Sequence, residues 1–311
     1  MKKWIAGILI VAVLFSLATY FFIPSVLTVS NIVYCKTTLH GAHRTIISKP
    51  QWKKWWINKN PATDSTFEYM GDTYQLTNAY FNGAEITIHH HNNIIKTQMR
   101  ALDLPDDSVA VTWKFTLNTS INPFKRISRY NDAVTLKKNT KDILDHYKIF
   151  VEKDDNVYGI PIRLSSIEHS SLITTKAMFD HYPSTSEIYS KIDFLKKFSD
   201  AHNLKQTYYP MMNVTIDSDT AYRLMVALPV NKMTSFTGNV NSVEMVRGNF
   251  MITEVKGGYK TVSNALDQLQ LYFQDYEKTS MAIPFEYLVT DRMIEPDTTK
   301  WITKIYAPVL R

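Results

Sequence analysis

The chain has 311 residues, enough for two cores, with 45% apolar and 21% charged residues, so it is globular throughout rather than disordered. Its net charge of +6 is spread along the length without a basic run, which argues against a nucleic-acid stripe. A single cysteine, Cys35, excludes an internal disulfide and any cysteine-based metal cluster.

Lys2 and Lys3 precede Trp4 to Ile23, a run of twenty residues without charge. At about 1.5 Å per residue such a run reaches roughly 30 Å, the thickness of a bilayer core. The expectation is a single-pass transmembrane signal anchor over 1–24. The lysine pair would place the remainder on the periplasmic or extracellular side of the cell membrane. A cleaved signal peptide competes, with Ser16-Leu17-Ala18 a passable site, although the run stays apolar beyond it.

Residues 25–155 read as a first domain. Val26 to Thr38 is rich in β-branched residues and predicts a strand. A helical patch, His40 to Ile47, is followed by Pro50-Gln51-Trp52-Lys53-Lys54-Trp55-Trp56, where Pro50 suits a first turn and the tryptophans fall on one face. From Thr66 to Arg129 strand follows strand, with turns at Met70-Gly71-Asp72, Phe81-Asn82-Gly83, Leu104-Pro105-Asp106-Asp107 and Ile121-Asn122-Pro123. Thr140 to Lys153 carries an apolar helical stripe and is expected to close the domain. His89, His90 and His91 raise the question of a metal. On a strand only His89 and His91 share a face, and spacing supplies no third ligand, so no metal is expected.

This order of elements, with Gln51 to Trp56 and Asn122-Pro123-Phe124-Lys125-Arg126, resembles the START-like polyketide cyclase/dehydrase (SRPBCC) superfamily. The resemblance implies a helix-grip fold of about six strands and a hydrophobic ligand. Read without it, the tryptophan face is a helix packed on a sheet.

A linker is expected near Asp154-Asp155-Asn156, and residues 156–311 contain an internal repeat. Ser171-Leu172-Ile173-Thr174-Thr175 is echoed by Phe250-Met251-Ile252-Thr253-Glu254. Amphipathic helices follow over about 186–202 and 261–277. A proline-led strand comes next in each half, Pro210-Met211-Met212 and Pro284-Phe285-Glu286. Each half closes on similar letters, Ala227-Leu228-Pro229-Val230 and Tyr306-Ala307-Pro308-Val309. Two βαββ halves, joined by a linker over about 231–243, should form one antiparallel sheet with both helices on one side. The predicted fold class is therefore α+β: a transmembrane helix, a helix-grip domain and a duplicated βαββ domain.

The doubled unit resembles the GyrI-like effector-binding domain through Gly257-Gly258-Tyr259-Lys260, Pro284-Phe285-Glu286, Asp291 and Thr303-Lys304-Ile305-Tyr306-Ala307-Pro308-Val309. The resemblance implies that Glu286 faces a pocket and contacts the ligand, often a lipophilic cation. It departs from the family at Leu288, where a tyrosine is usual, and at Lys304, where a glutamate is usual. Strand alternation puts Glu286 and Leu288 on one face and Phe285 and Tyr287 on the other. Without the resemblance, a strand glutamate is as well read as a solvated or ion-paired surface residue. The candidate ligand-binding residues are Glu286, Tyr259, Trp301, Tyr306 and Met212, the last being the first repeat's counterpart of Glu286.

One carboxylate rather than a pair counts against paired acid/base catalysis. Neither a Gly-rich phosphate loop nor a nucleophile elbow is present. The reading is a membrane-anchored protein that binds a hydrophobic or cationic small molecule, with no cofactor and no nucleic-acid partner. The alternative is a hydrolase of a reactive small molecule, which needs a second polar group at hydrogen-bond reach of Glu286.

Overall fold

The structure is a computed structural model that describes residues 2–58, 66–167, 169–218, 221–236, 238–245, 248–280 and 282–310, with only the backbone of Lys2, Lys3, Ala6 and Ser218. The chain divides into two units, Met1–Val157 and Tyr158–Arg311.

The first unit opens with helix α1 (Lys2–Phe22). No helix among the described residues is long and apolar enough to cross a membrane. This corrects the expected single-pass anchor and the location drawn from it. The side chains of Lys2 and Lys3, on which the expected orientation rested, lie outside the described residues.

Strand β1 (Val26–Cys35) alternates strictly between exposed and buried. Helices α2 (Leu39–Ile47) and α3 (Lys49–Trp55) follow, then strands β2 (Thr66–Tyr69), β3 (Asp72–Tyr80), β4 (Gly83–His90), β5 (Asn93–Leu104) and β6 (Ser108–Asn118). They form one antiparallel sheet in the order β1-β6-β5-β4-β3-β2. The meander is a run of hairpins, several of whose turns take left-handed backbone. Met70 and Gly71 have φ of 50° and 83°, and Asp106 and Asp107 have φ of 60° and 50°.

Helix α4 (Pro123–Val151) has 29 residues, so it begins well before the stripe that predicted it. Asn122 is its cap, its side chain accepting from the backbone N–H groups of Phe124 and Lys125, and Pro123 occupies the first turn. The missed half is largely exposed, so periodicity could not mark it. Near its start α4 touches α1: Phe15 lies 5.7 Å from Phe124 between ring centroids, and the Arg126 guanidinium sits 4.8 Å over the Tyr20 ring.

Trp52, Trp55 and Trp56 are fully buried, against one another and against Phe67 and Tyr74 on the sheet and Tyr147 on α4. Each indole N–H donates to a backbone carbonyl, of Ile46, Thr45 and Glu68 respectively. Such rings are core, not lining. Cys35 is buried, and burial pushes its thiol up to about 12, so it is unreactive.

The residues expected as a linker lie in a short helix, α5 (Asp154–Tyr158), in which Val157 and Tyr158 are buried.

The second unit contains strands β7 (Arg163–Ser166) and β8 (Ser171–Phe179), helix α6 (Thr185–Ala201), and strands β9 (Met211–Ser218), β10 (Ala221–Pro229), β11 (Asn241–Glu244) and β12 (Asn249–Lys256). Helix α7 (Tyr259–Asp275) and strands β13 (Phe285–Leu288) and β14 (Ile302–Val309) complete it. The antiparallel sheet has the order β11-β8-β10-β9-β13-β14-β12-β7. Its central six strands are the two βαββ halves back to back. The duplication is therefore a pseudo-two-fold whose axis passes between β9 and β13, where Met212 pairs directly with Glu286. The segment expected as a linker between the halves supplies β11, an edge strand on β8.

Each helix begins on its own local signal. Ser184 and Glu187 form a reciprocal capping box on α6. Before α7, Gly257 has φ of 147°, and a Cβ there would meet the Thr261 Oγ1 at 2.3 Å, so only glycine fits. Ile188, Ile192 and Leu195 of α6 pack on Met212, Leu224, Val226 and Leu288, the sheet face that also carries Glu286.

Candidate functional site

Glu286 sits in the middle of β13, a strand buried at all four positions. It is 7% exposed on the helix-covered face, in one cross-strand row with Met212, Ile305 and Thr253. Burial pushes its carboxyl up to about 7, and nearby Arg292 pulls the other way without cancelling the effect. Among the described residues no side chain hydrogen-bonds this carboxyl. The nearest cation, Arg292 Nη2, is 3.9 Å from Glu286 Oε2.

Arg292 is committed elsewhere. Its Nη2 donates to Thr303 Oγ1 at 2.8 Å, and its guanidinium lies 5.0 Å over the Trp301 ring. Asp291 sets up the turn that delivers it, Oδ1 accepting from the Met293 backbone N–H at 3.0 Å. From α6, Tyr189 Oη accepts the backbone N–H of Arg292 at 2.8 Å and donates to the Thr290 carbonyl at 3.2 Å. Among the described residues, two polar atoms of this region are buried without a hydrogen-bond partner, Arg292 Nε and Thr253 Oγ1. Thr253 lies two strands from Glu286, about 10 Å at the usual strand spacing. A polar group buried without a partner costs about 1–3 kcal/mol, so these two atoms are a standing cost that a bound molecule could remove.

The predicted residues separate. Tyr259, at the start of α7, is more than half exposed, and its ring packs at 4.7 Å on that of Tyr182, just ahead of α6. Tyr182 lies close enough to Glu286 that the carboxylate, after burial, is the next largest cause raising its phenol. Trp301 supports the site through Arg292, its Nε1 donating to the Glu295 carbonyl at 2.8 Å. Met212 shares Glu286's face but belongs to the apolar core with Leu288. Tyr306 does not join them. It pairs with Phe285, so it lies on the opposite face, stacked on Phe285 at 5.5 Å and edge-on to Tyr287 at 4.9 Å.

That opposite face has its own apolar cavity of about 430 Å³, bordered by Leu172, Met211, Met225, Met245, Ile283 and Phe285, and Glu286 is not among the residues around it. Lys304 also points to this face, pairing with Tyr287 and lying 3.7 Å from Glu254, so it adds no charge beside Glu286. Leu288 shares the Glu286 face but fills the core.

Sequence reasoning missed Arg292, Tyr182, Tyr189 and Thr253. Arg292 had one local signal, the Asp291 turn. The other three had none, because their partners are more than ninety residues away in the chain or on another strand.

No family model and no curated protein matches the chain. Solved structures resemble it at low identity. The EcmrR C-terminal domain is 18% identical, over 49% of this chain and 98% of that one, with a TM-score of 0.42. SAV2435 bound to tetraphenylphosphonium is 15% identical over 49% and 94%, with a TM-score of 0.35. A hydrolase from Listeria innocua is 9% identical over 48% and 92%, also at 0.35. The START-like resemblance has no counterpart among these three. With every TM-score below 0.5, function has to be argued from the Glu286 site itself.

Proposed function

We propose that the second unit is a small-molecule-binding module, built as the GyrI-like resemblance implies. In this reading the polar or cationic group of the ligand meets Glu286, and its apolar body lies against Tyr182 and Tyr259. The observation that carries the proposal is the buried Glu286 carboxyl, which has no hydrogen-bond partner among the described residues, at the axis of a duplicated sheet. Arg292 does not exhaust it, because that guanidinium bonds Thr303 and covers Trp301, leaving the short-range acceptor positions of the carboxylate open. Arg292 Nε and Thr253 Oγ1 add a donor and a hydroxyl for a polar ligand. The first unit, read as START-like, has its tryptophans committed to core, so the second unit is the better candidate for binding.

The test compares tetraphenylphosphonium with neutral triphenylphosphine oxide by calorimetry, on wild type and Glu286→Gln. With the carboxyl titrating near 7, wild-type affinity for the cation should rise between pH 6 and pH 8 as Glu286 ionises. At pH 8 the Gln variant should bind the cation at least tenfold more weakly, about 1.4 kcal/mol, and the neutral compound equally well. Equal cation binding by both proteins, or a flat pH profile, would remove Glu286 from the site.

The hydrolase reading keeps one observation in its favour, since a carboxyl near 7 suits a general base. None of Tyr259, Trp301 and Tyr306 hydrogen-bonds Glu286, so binding is the stronger reading. Loss of ester or lactone turnover in Glu286→Gln, with binding retained, would reverse that order.

A further inference from the structure

We infer that the β4–β5 hairpin end of the first unit is a binding site for a divalent first-row transition ion, zinc foremost, held by His90 Nε2, His91 and Asp132. The three residues each offer a ligand atom, and these atoms lie within 4.8 Å of one another.

The hairpin explains why the histidine pair differs from the one that strand alternation selects. β4 ends at His90 and β5 begins at Asn93, so His91 is already in the turn, with φ of 50°. The reversal swings its ring onto His90, centroids 4.2 Å apart. Asp132 arrives from α4, more than forty residues later. His89 is left out.

His90 is the decisive member. It is buried, and its Nδ1 lies 2.6 Å from Asp72 Oδ1, while Asp72 Oδ2 accepts from Asn139 Nδ2 at 3.2 Å. A carboxylate only accepts, so Nδ1 carries the proton toward Asp72 and Nε2 is turned to the other side. That nitrogen is buried with no hydrogen-bond partner, and what faces it is another acceptor, Asp132 Oδ1 at 3.6 Å. A cation placed between Nε2 and Asp132 Oδ1 would give both atoms a partner. A carboxylate holding the far N–H of an imidazole is also the usual support of a metal-bound histidine, fixing its tautomer and aim.

The spacing suits an ion. Zinc–ligand bonds of about 2.0–2.1 Å in a tetrahedron put ligand atoms about 3.4 Å apart, close to the 3.6 Å between His90 and Asp132. His91 is exposed and can close the remainder. Arg129 approaches the other oxygen of Asp132, Oδ2, at 3.7 Å and is tied to Asn93 Oδ1 at 2.7 Å, which leaves Oδ1 for the ion. The fourth position opens onto a polar cleft bordered by Asn93, Asn118 and Ser128, where water or a small anion can complete the shell. Two imidazoles and a carboxylate suit zinc and its late first-row neighbours rather than calcium or magnesium.

The experiment uses the full chain without a polyhistidine tag, stripped by chelator and titrated with zinc alone against a chromophoric competitor. One equivalent should bind and raise the melting temperature. His91→Ala and Asp132→Asn alter a surface turn and a helix face, so both should fold, and each should weaken zinc at least tenfold. Asp72→Asn should weaken it 10–100-fold while His91 and Asp132 remain. Cobalt in place of zinc should give the visible absorption of a four-coordinate site, lost in the His91→Ala/Asp132→Asn double variant. Zinc bound equally by wild type and the double variant would overturn the proposal. So would the absence of stoichiometric binding, which would leave a protonated His90 as the charge facing Asp132.

Discussion

The two halves of the second unit share one topology and differ at its centre. β9 brings Met212 to the pseudo-axis and β13 brings Glu286, and the two residues are direct cross-strand partners. Met212 is in contact with apolar side chains from α6 and β10, and nothing about it is unresolved. Glu286, in an equivalent backbone position, has a carboxyl with no hydrogen bond among the described residues, opposed at 3.9 Å by an arginine that is bonded elsewhere. A duplicated fold thus packs one half's axial position with methionine and places a carboxylate at the other's. The asymmetry, not the pocket shape, is what marks the site.

The sharpest way to break that comparison is to make the halves alike. Met212→Glu would put a second carboxylate beside the first in the same buried row. Lost methionine packing and repulsion between the acids should together cost on the order of 4 kcal/mol or more at pH 8, read by urea denaturation. A cost under about 1 kcal/mol would mean that the axis is wet and the burial of Glu286 unimportant.

Glu286→Gln tests the other half. The folded state holds a proton at about 7 that the unfolded chain releases near 4.5. This group's contribution is therefore most favourable to folding below pH 4.5, declines as pH rises, and levels off above 7. Wild type should lose up to about 3 kcal/mol of stability between pH 4.5 and pH 8 through this residue, and the Gln variant should lack that decline. Parallel stability curves for the two proteins would show that Glu286 is not perturbed.

The smallest effect concerns the two helices. α6 starts on the Ser184–Glu187 capping box, whereas α7 starts on Gly258 without a side-chain cap. Ser184→Ala should cost about 1 kcal/mol by thermal or chemical denaturation. No change would mean that tertiary packing alone sets the start of α6.

Much of the second unit was legible from the chain. Its repeat, the paired βαββ order and the face of Glu286 follow from alternation and from helix periodicity, which are local properties of adjacent residues. The start of α4 at Pro123 was written in Asn122 and Pro123 but hidden by the polar, exposed turns that follow. The expected membrane anchor rested on the length of an uncharged run and the lysine pair before it, and no helix among the described residues is long and apolar enough to cross a membrane.

What adjacent residues cannot encode is which distant side chains share a space. The sequence by itself determined that Glu286 would share a strand face with Leu288, and it read His89 to His91 as strand without the turn that begins at His91. Only the tertiary structure decided that Arg292 would spend its hydrogen bond on Thr303 rather than on Glu286, that Tyr306 would fall on the far face, and that His90 would meet Asp72 and Asp132. The physical reason is range. Backbone preference and alternation act over one to four residues, whereas burial, hydrogen-bond satisfaction and charge pairing are settled between strands and helices that the fold alone brings together.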